Sequence, residues 1–267
     1  MPLFALTLSP HLRADLFSFV EGLSLLFVLV SFICVAAYTA KKVRAGKFLT
    51  PENAPLPLAM PHLAGWLFVA SVFVLIFLQP SLYALLVLMG TMIVLAQNRR
   101  TARTQYGFDR LKPSQALVVA LLVFGAVELV ETPLTQVSTW VLDACQVPHP
   151  EQQSVETFRQ ENQAATIVWF MFQAVLLFPI IEELFFRGFL LTFLKNYTST
   201  GLAIVLSAGF FAAVHLNLAA FIPLWFLGIV LGLAYEHTGS LLVPVCIHAC
   251  FNLATALFML MDKGNPS

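Results

Sequence analysis

The chain reads as an all-α, polytopic membrane protein of about eight transmembrane helices. Two features of composition predict this. Of its 267 residues, 59% are hydrophobic and only 10% are charged, with a mean hydropathy of +0.86. A soluble domain carries roughly 25% charged residues. The third observation is the spacing of the apolar runs, several of them near the roughly 20 residues that span a bilayer as a helix. Formal net charge is zero, which gives no electrostatic footprint for nucleic acid. The four cysteines, Cys34, Cys145, Cys246 and Cys250, are too scattered for a disulfide framework.

Taken in order, Leu16 to Ala40 is the first span. Its basic residues, Lys41, Lys42, Arg44 and Lys47, follow the apolar run, so it reads as a retained helix and not a cleaved signal. A Pro-rich loop (48–61) leads to two shorter segments, Leu63 to Leu78 and Leu82 to Ala96. A second basic cluster follows: Arg99, Arg100, Arg103, Arg110 and Lys112. Gln115 to Glu131 is the fourth segment, with Pro133 as its expected end. Residues 134–163 form a polar, net acidic loop. The fifth segment is Ala164 to Leu194, with Pro179 as a candidate kink. Gly201 to Ala219, Phe221 to Tyr235 and Leu241 to Met261 complete the set. The domain organisation expected is accessory helices over 1–112, a fourth helix and extracytoplasmic loop over 113–163, and a catalytic core over 164–267. Placing the loops after segments one, three and five in the cytoplasm gathers ten of the fourteen Lys and Arg there, as the positive-inside rule requires.

One stretch breaks the apolar pattern. Ile181-Glu182-Glu183-Leu184-Phe185-Phe186-Arg187 sets three charges inside the fifth segment. Each costs about 2.5–3.5 kcal/mol at the centre of a membrane helix, against about 0.3–0.6 returned by each Leu, Ile or Phe. Such residues must be paired or face a protein interior, and they are functional candidates by default. Glu183 and Arg187 are i, i+4 and can pair. Glu182 lies about 100° around the helix from Glu183, so its partners must come from other segments.

Two histidines are embedded in later segments: His215 in the sixth and His248 in the eighth. Asn252 is i+4 from His248, on the same face. A carboxylate with a neutral imidazole can hold a water and take its proton. A second imidazole and an amide can donate to the oxyanion that forms when this water attacks a carbonyl. Cys246 and Cys250 each lie two residues from His248, on the far side of the helix, and read as packing. Glu128 and Glu131, i and i+3 in the fourth segment, either line the cavity or reach the interface, and the interface is favoured.

Glu182-Glu183-x-x-x-Arg187, Phe211-x-x-x-His215 and His248-x-x-x-Asn252, in that order, resemble the three motifs of the CAAX prenyl protease and bacteriocin-processing (Abi) family of intramembrane proteases. The stretch Leu231 to Leu241 is similar to the linker that bacterial members carry before the last motif. The resemblance covers roughly residues 164–258. It implies that Glu182 is the base, that His215 helps it activate water, that His248 and Asn252 form the oxyanion site, and that Glu183 and Arg187 are orienting and structural. It implies a multi-pass protein of the bacterial plasma membrane acting on membrane-associated or hydrophobic peptides, some of them prenylated at the C-terminus, without a metal cofactor. Two alternatives use the same residues. One is a zinc protease with Glu182, His215 and His248 as ligands, although no His-Glu-x-x-His helix supports it. The other is a non-catalytic immunity or scaffold protein with a polar core.

Overall fold

The computed structural model describes residues 106–150 and 153–263, with 26, 30, 33–48, 51, 54–55, 65–67 and 69–71 from the preceding part of the chain. The expected third segment, Leu82 to Ala96, and the arginines Arg99, Arg100 and Arg103 lie outside the described residues, as do parts of the first two segments. Residues 33–44, 65–67 and 69–71 are helical. Among the described residues every regular element is a helix. From residue 113 onward these are α1 (Pro113–Ala144), α2 (Gln153–Gln160), α3 (Ala164–Leu194), α4 (Thr200–Ala213), α5 (Leu218–Thr238) and α6 (Leu242–Lys263). Four of them, α1, α3, α5 and α6, are long and apolar enough to cross a membrane.

Three boundaries differ from expectation. α1 does not stop before Pro133 but continues to Ala144, so the first third of the expected acidic loop is helix. Proline is tolerated in membrane helices where nearby groups re-satisfy the backbone. Beyond the proline, threonine hydroxyls fold back onto the helix's own carbonyls, Thr135 Oγ1 onto Glu131 and Thr139 Oγ1 onto Thr135, both at 3.1 Å. A second stretch of that loop is the short helix α2. The sixth segment is interrupted: α4 ends at Ala213 and α5 starts at Leu218. Leu216 turns the chain with a φ of 50°, and Asn217 caps α5 by accepting from the Ala220 N–H at 3.0 Å. At 14 residues α4 is about 21 Å long, too short for a roughly 30 Å hydrocarbon core. α4 and α5 therefore make a hairpin, and His215 lies in its turn.

That hairpin is tight. Gly228 and Gly232 form a Gly-x-x-x-Gly face on α5, and a Cβ added at Gly228 would sit 2.9 Å from Ala208 Cβ. Small residues let backbones approach closely where lipid supplies no hydrophobic drive between helices. α3 passes beside this hairpin with residues 181 and 183–194 all buried.

The ends of α3 and α5 and the start of α6 share one side. Lys195 Nζ, after α3, reaches Glu236 Oε1 near the end of α5 at 2.8 Å, with both side chains buried. The same ammonium donates to the Pro55 carbonyl at 2.7 Å. Leu241 N–H donates to the Tyr106 carbonyl at 2.9 Å. Tyr106 is buried against Gly188 of α3, and burial pushes its phenol up to about 12.

Candidate active site

The charged stretch sits in an irregular helix. Within α3 the backbone widens twice into π-helical geometry, at Gln173–Leu177 and Leu184–Leu191. Glu182 and Glu183 end the short α-helical piece between the two runs, Phe178–Glu183. π-helical turns are rare and recur at functional sites.

Glu183 is fully buried and serves two cations or donors with one oxygen. Its Oε1 accepts from Arg187 Nη1 at 2.7 Å and from His248 Nδ1 at 2.9 Å. The first contact is the expected i, i+4 pair. The second was not legible in spacing, because it joins α3 to α6. Glu183 Oε2 is buried with no hydrogen-bond partner. Arg187, itself buried, uses Nη2 to reach the Gly228 carbonyl at 3.1 Å and stacks over the Phe211 ring at 4.6 Å. Arginine stays charged in proteins. The neutral Glu183–Arg187 pair therefore leaves the carboxylate as an acceptor, and His248 must donate to it from Nδ1.

That fixes what the far side of His248 can do. With the proton on Nδ1, a neutral imidazole presents a lone pair at Nε2. His248 Nε2 lies 3.8 Å from Glu182 Oε2. The two glutamates, adjacent in sequence, thus address opposite nitrogens of one ring. Their exposures differ in the sense the chemistry needs: the Glu182 side chain is 14% exposed and the Glu183 side chain 0%.

His215 and Asn252 stand further off. His215 Nδ1 donates to the Phe211 carbonyl at 2.8 Å, which leaves its Nε2 free as well. Its ring packs edge-on to Phe211 at 4.9 Å, and Phe211 in turn meets His248 at 5.5 Å. The two imidazoles are thus linked through one phenyl ring. Among the described residues no carboxylate lies within ion-pair distance of His215. Asn252 Nδ2 donates to the Ala174 carbonyl in the first π run, at 2.7 Å. Expected together in one cluster, the four side chains divide into a contacting pair, Glu182 and His248, and two groups beside it.

Among the described residues, no group of three or more His, Cys, Asp and Glu side chains is placed to hold a metal ion. His248 turns its nitrogens to two different carboxylates, and His215 is a ring away. Glu182, His215 and His248 do not form a ligand set in this geometry. Cys246 and Cys250 are half-buried free thiols on α6.

A family model described as type II CAAX prenyl endopeptidase Rce1-like matches residues 164–254. That span runs from the first residue of α3 into α6 and holds every residue of the cluster. The membrane-embedded CAAX protease MroQ of Staphylococcus aureus (strain USA300) is 28% identical over 186 residues, covering 67% of this chain and 72% of that protein. No solved structure matches.

Proposed function

We infer that this chain, a multi-pass integral membrane protein of the CAAX prenyl protease family, is an endopeptidase that hydrolyses membrane-associated or hydrophobic peptides with a glutamate-activated water. The observation that carries this reading is the Glu182–His248 contact, with Glu183 on the opposite ring nitrogen.

In this reading Glu182 is the general base. A water held between Glu182 and a free imidazole nitrogen gives its proton to that pair as its oxygen attacks the scissile carbonyl. Glu183 stabilises the positive charge on His248 when Nε2 takes up the proton. The protonated Nε2 then donates, first to the tetrahedral oxyanion and last to the leaving amine. His215, whose Nε2 is also bare, helps to hold the water. The resemblance assigns Asn252 to the oxyanion, while its amide here is engaged with Ala174. Arg187 neutralises Glu183 so that a second carboxylate can be buried beside Glu182. No step uses a metal.

The test is cleavage of a hydrophobic peptide library by detergent-purified protein. Glu182→Gln should lower turnover by about 10²–10⁴-fold, the usual worth of a positioned base, with an unchanged thermal midpoint. Unchanged turnover would remove Glu182 from the chemistry. Stoichiometric zinc, with activity lost to chelator and restored by zinc, would replace this mechanism with a metal-based one.

A further inference from the structure

We propose that Asn252 is a positioning residue that clasps α6 to α3, and that Pro179 creates the carbonyl it binds. This rests on the endopeptidase reading only in taking Glu182 and His248 as the reaction centre.

The backbone of the first π run dictates it. The Phe178 N–H is given to the Gln173 carbonyl, five residues back. The next carbonyl, Ala174, would in the same pattern take the N–H of residue 179. That residue is Pro179, which has none. In the α pattern it would take Phe178, whose N–H is already used. The Ala174 carbonyl is therefore left without a backbone donor inside a membrane helix, where water cannot replace one. The Asn252 amide supplies the missing donor at 2.7 Å.

The placement of that bond gives it a function. Asn252 is one turn beyond His248 on the same face of α6. Pinning Asn252 to α3 fixes how far α6 slides and turns against α3, and so fixes His248 Nε2 against Glu182 Oε2. Side chains serve carbonyls of the second run too: Ser207 Oγ donates to Phe186 at 2.9 Å, and Thr192 Oγ1 to Gly188 at 2.7 Å. The first run differs in that its bond comes from the helix that carries the reactive histidine.

The test is a double-substitution cycle on the full-length protein in detergent. Asn252→Ala should lower the thermal midpoint and slow cleavage about tenfold, the scale of a single hydrogen bond within a membrane protein. Pro179→Ala restores an N–H that can reach the Ala174 carbonyl. Adding it to Asn252→Ala should therefore recover most of both losses. An oxyanion donor would not be rescued this way. If the double variant is as impaired as the sum of the single ones, the clasp is wrong and Asn252 acts on the substrate directly. Asn252→Leu, of similar size and with no donor, is a second probe: a wild-type midpoint and turnover there would also overturn the proposal. Measuring the same midpoints in a Glu182→Gln background reads the clasp without turnover. A chain that cleaves nothing would then still report on Asn252.

Discussion

The two π-helical runs of α3 widen the same helix a few residues apart, and they are built differently. In Gln173–Leu177 no residue is fully buried, and a proline ends the backbone bonding. In Leu184–Leu191 all eight residues are buried, and the run carries Arg187. The first run is open and tied by one side chain from α6. The second is closed, bonded to α4 and α5, and charge-balanced from within. The difference shows how one helix can leave Glu182 part-exposed and still bury Glu183. The α-helical piece between the runs has a part-exposed end and a buried end, and Glu182 sits one residue from the buried Glu183–Arg187 pair.

The strongest way to break that contrast is to remove the anchor's charge. Arg187→Met leaves the buried Glu183 carboxyl without its cation, with Oε2 unpartnered and His248 as its remaining donor among the described residues. Breaking a buried pair from one side costs about 3–5 kcal/mol. Leu176→Ala in the first run, where the side chain is 49% exposed, should change stability by less than about 0.5 kcal/mol. Unfolding in detergent, followed by thermal midpoint, compares the two. Similar midpoints would mean that the second run is not the anchor.

Next in size is Gly228→Ala. The added Cβ would lie 2.9 Å from Ala208 Cβ and 3.0 Å from its Cα, and backbone cannot give way cheaply. Overpacking of this kind costs about 1–3 kcal/mol. It should also shift the Gly228 carbonyl off Arg187 Nη2 and so loosen the anchor. A variant with wild-type midpoint and turnover would show that the close α4–α5 approach does not set the second run.

The contrast between the runs also marks how far the sequence could be read. The bounds of α3 follow from its apolar run, and the Glu183–Arg187 pair follows from i, i+4 spacing. The separation of Glu182 from Glu183 onto different faces follows from the helical period. What periodicity cannot carry is a change of period. Spacing at 3.6 residues per turn holds no sign of the two π runs, and the contact of both glutamates with one imidazole depends on how α6 is set against them. The turn at His215 was missed for a related reason. Hydropathy is continuous through Leu216 and Leu218, and only the polar Asn217 between them, a good N-cap, signals the break. Pro133 misled in the opposite direction, because a membrane helix tolerates a proline in its interior and α1 runs through it. The Lys195–Glu236 pair was hidden because each residue, taken alone, reads as a solvated helix end.

The smallest effect probes whether the runs differ in need as well as in burial. Ser207 Oγ and Asn252 Nδ2 each donate to a π-run carbonyl from a neighbouring helix. The Phe186 carbonyl that Ser207 serves also faces the N–H groups of Leu190 and Leu191, neither of which is proline. Ser207 is therefore a second donor there, whereas Asn252 replaces a donor that the backbone lacks. Hydrogen bonds between membrane helices average about 0.6 kcal/mol and reach about 1.7. Ser207→Ala should fall near the lower figure and Asn252→Ala near the upper one, with both measured by unfolding in the same detergent. Pro179→Ala should not alter the effect of Ser207→Ala, because the two sites share no carbonyl. If Ser207→Ala proves the more damaging of the two, burial and not the missing N–H decides what these side chains contribute.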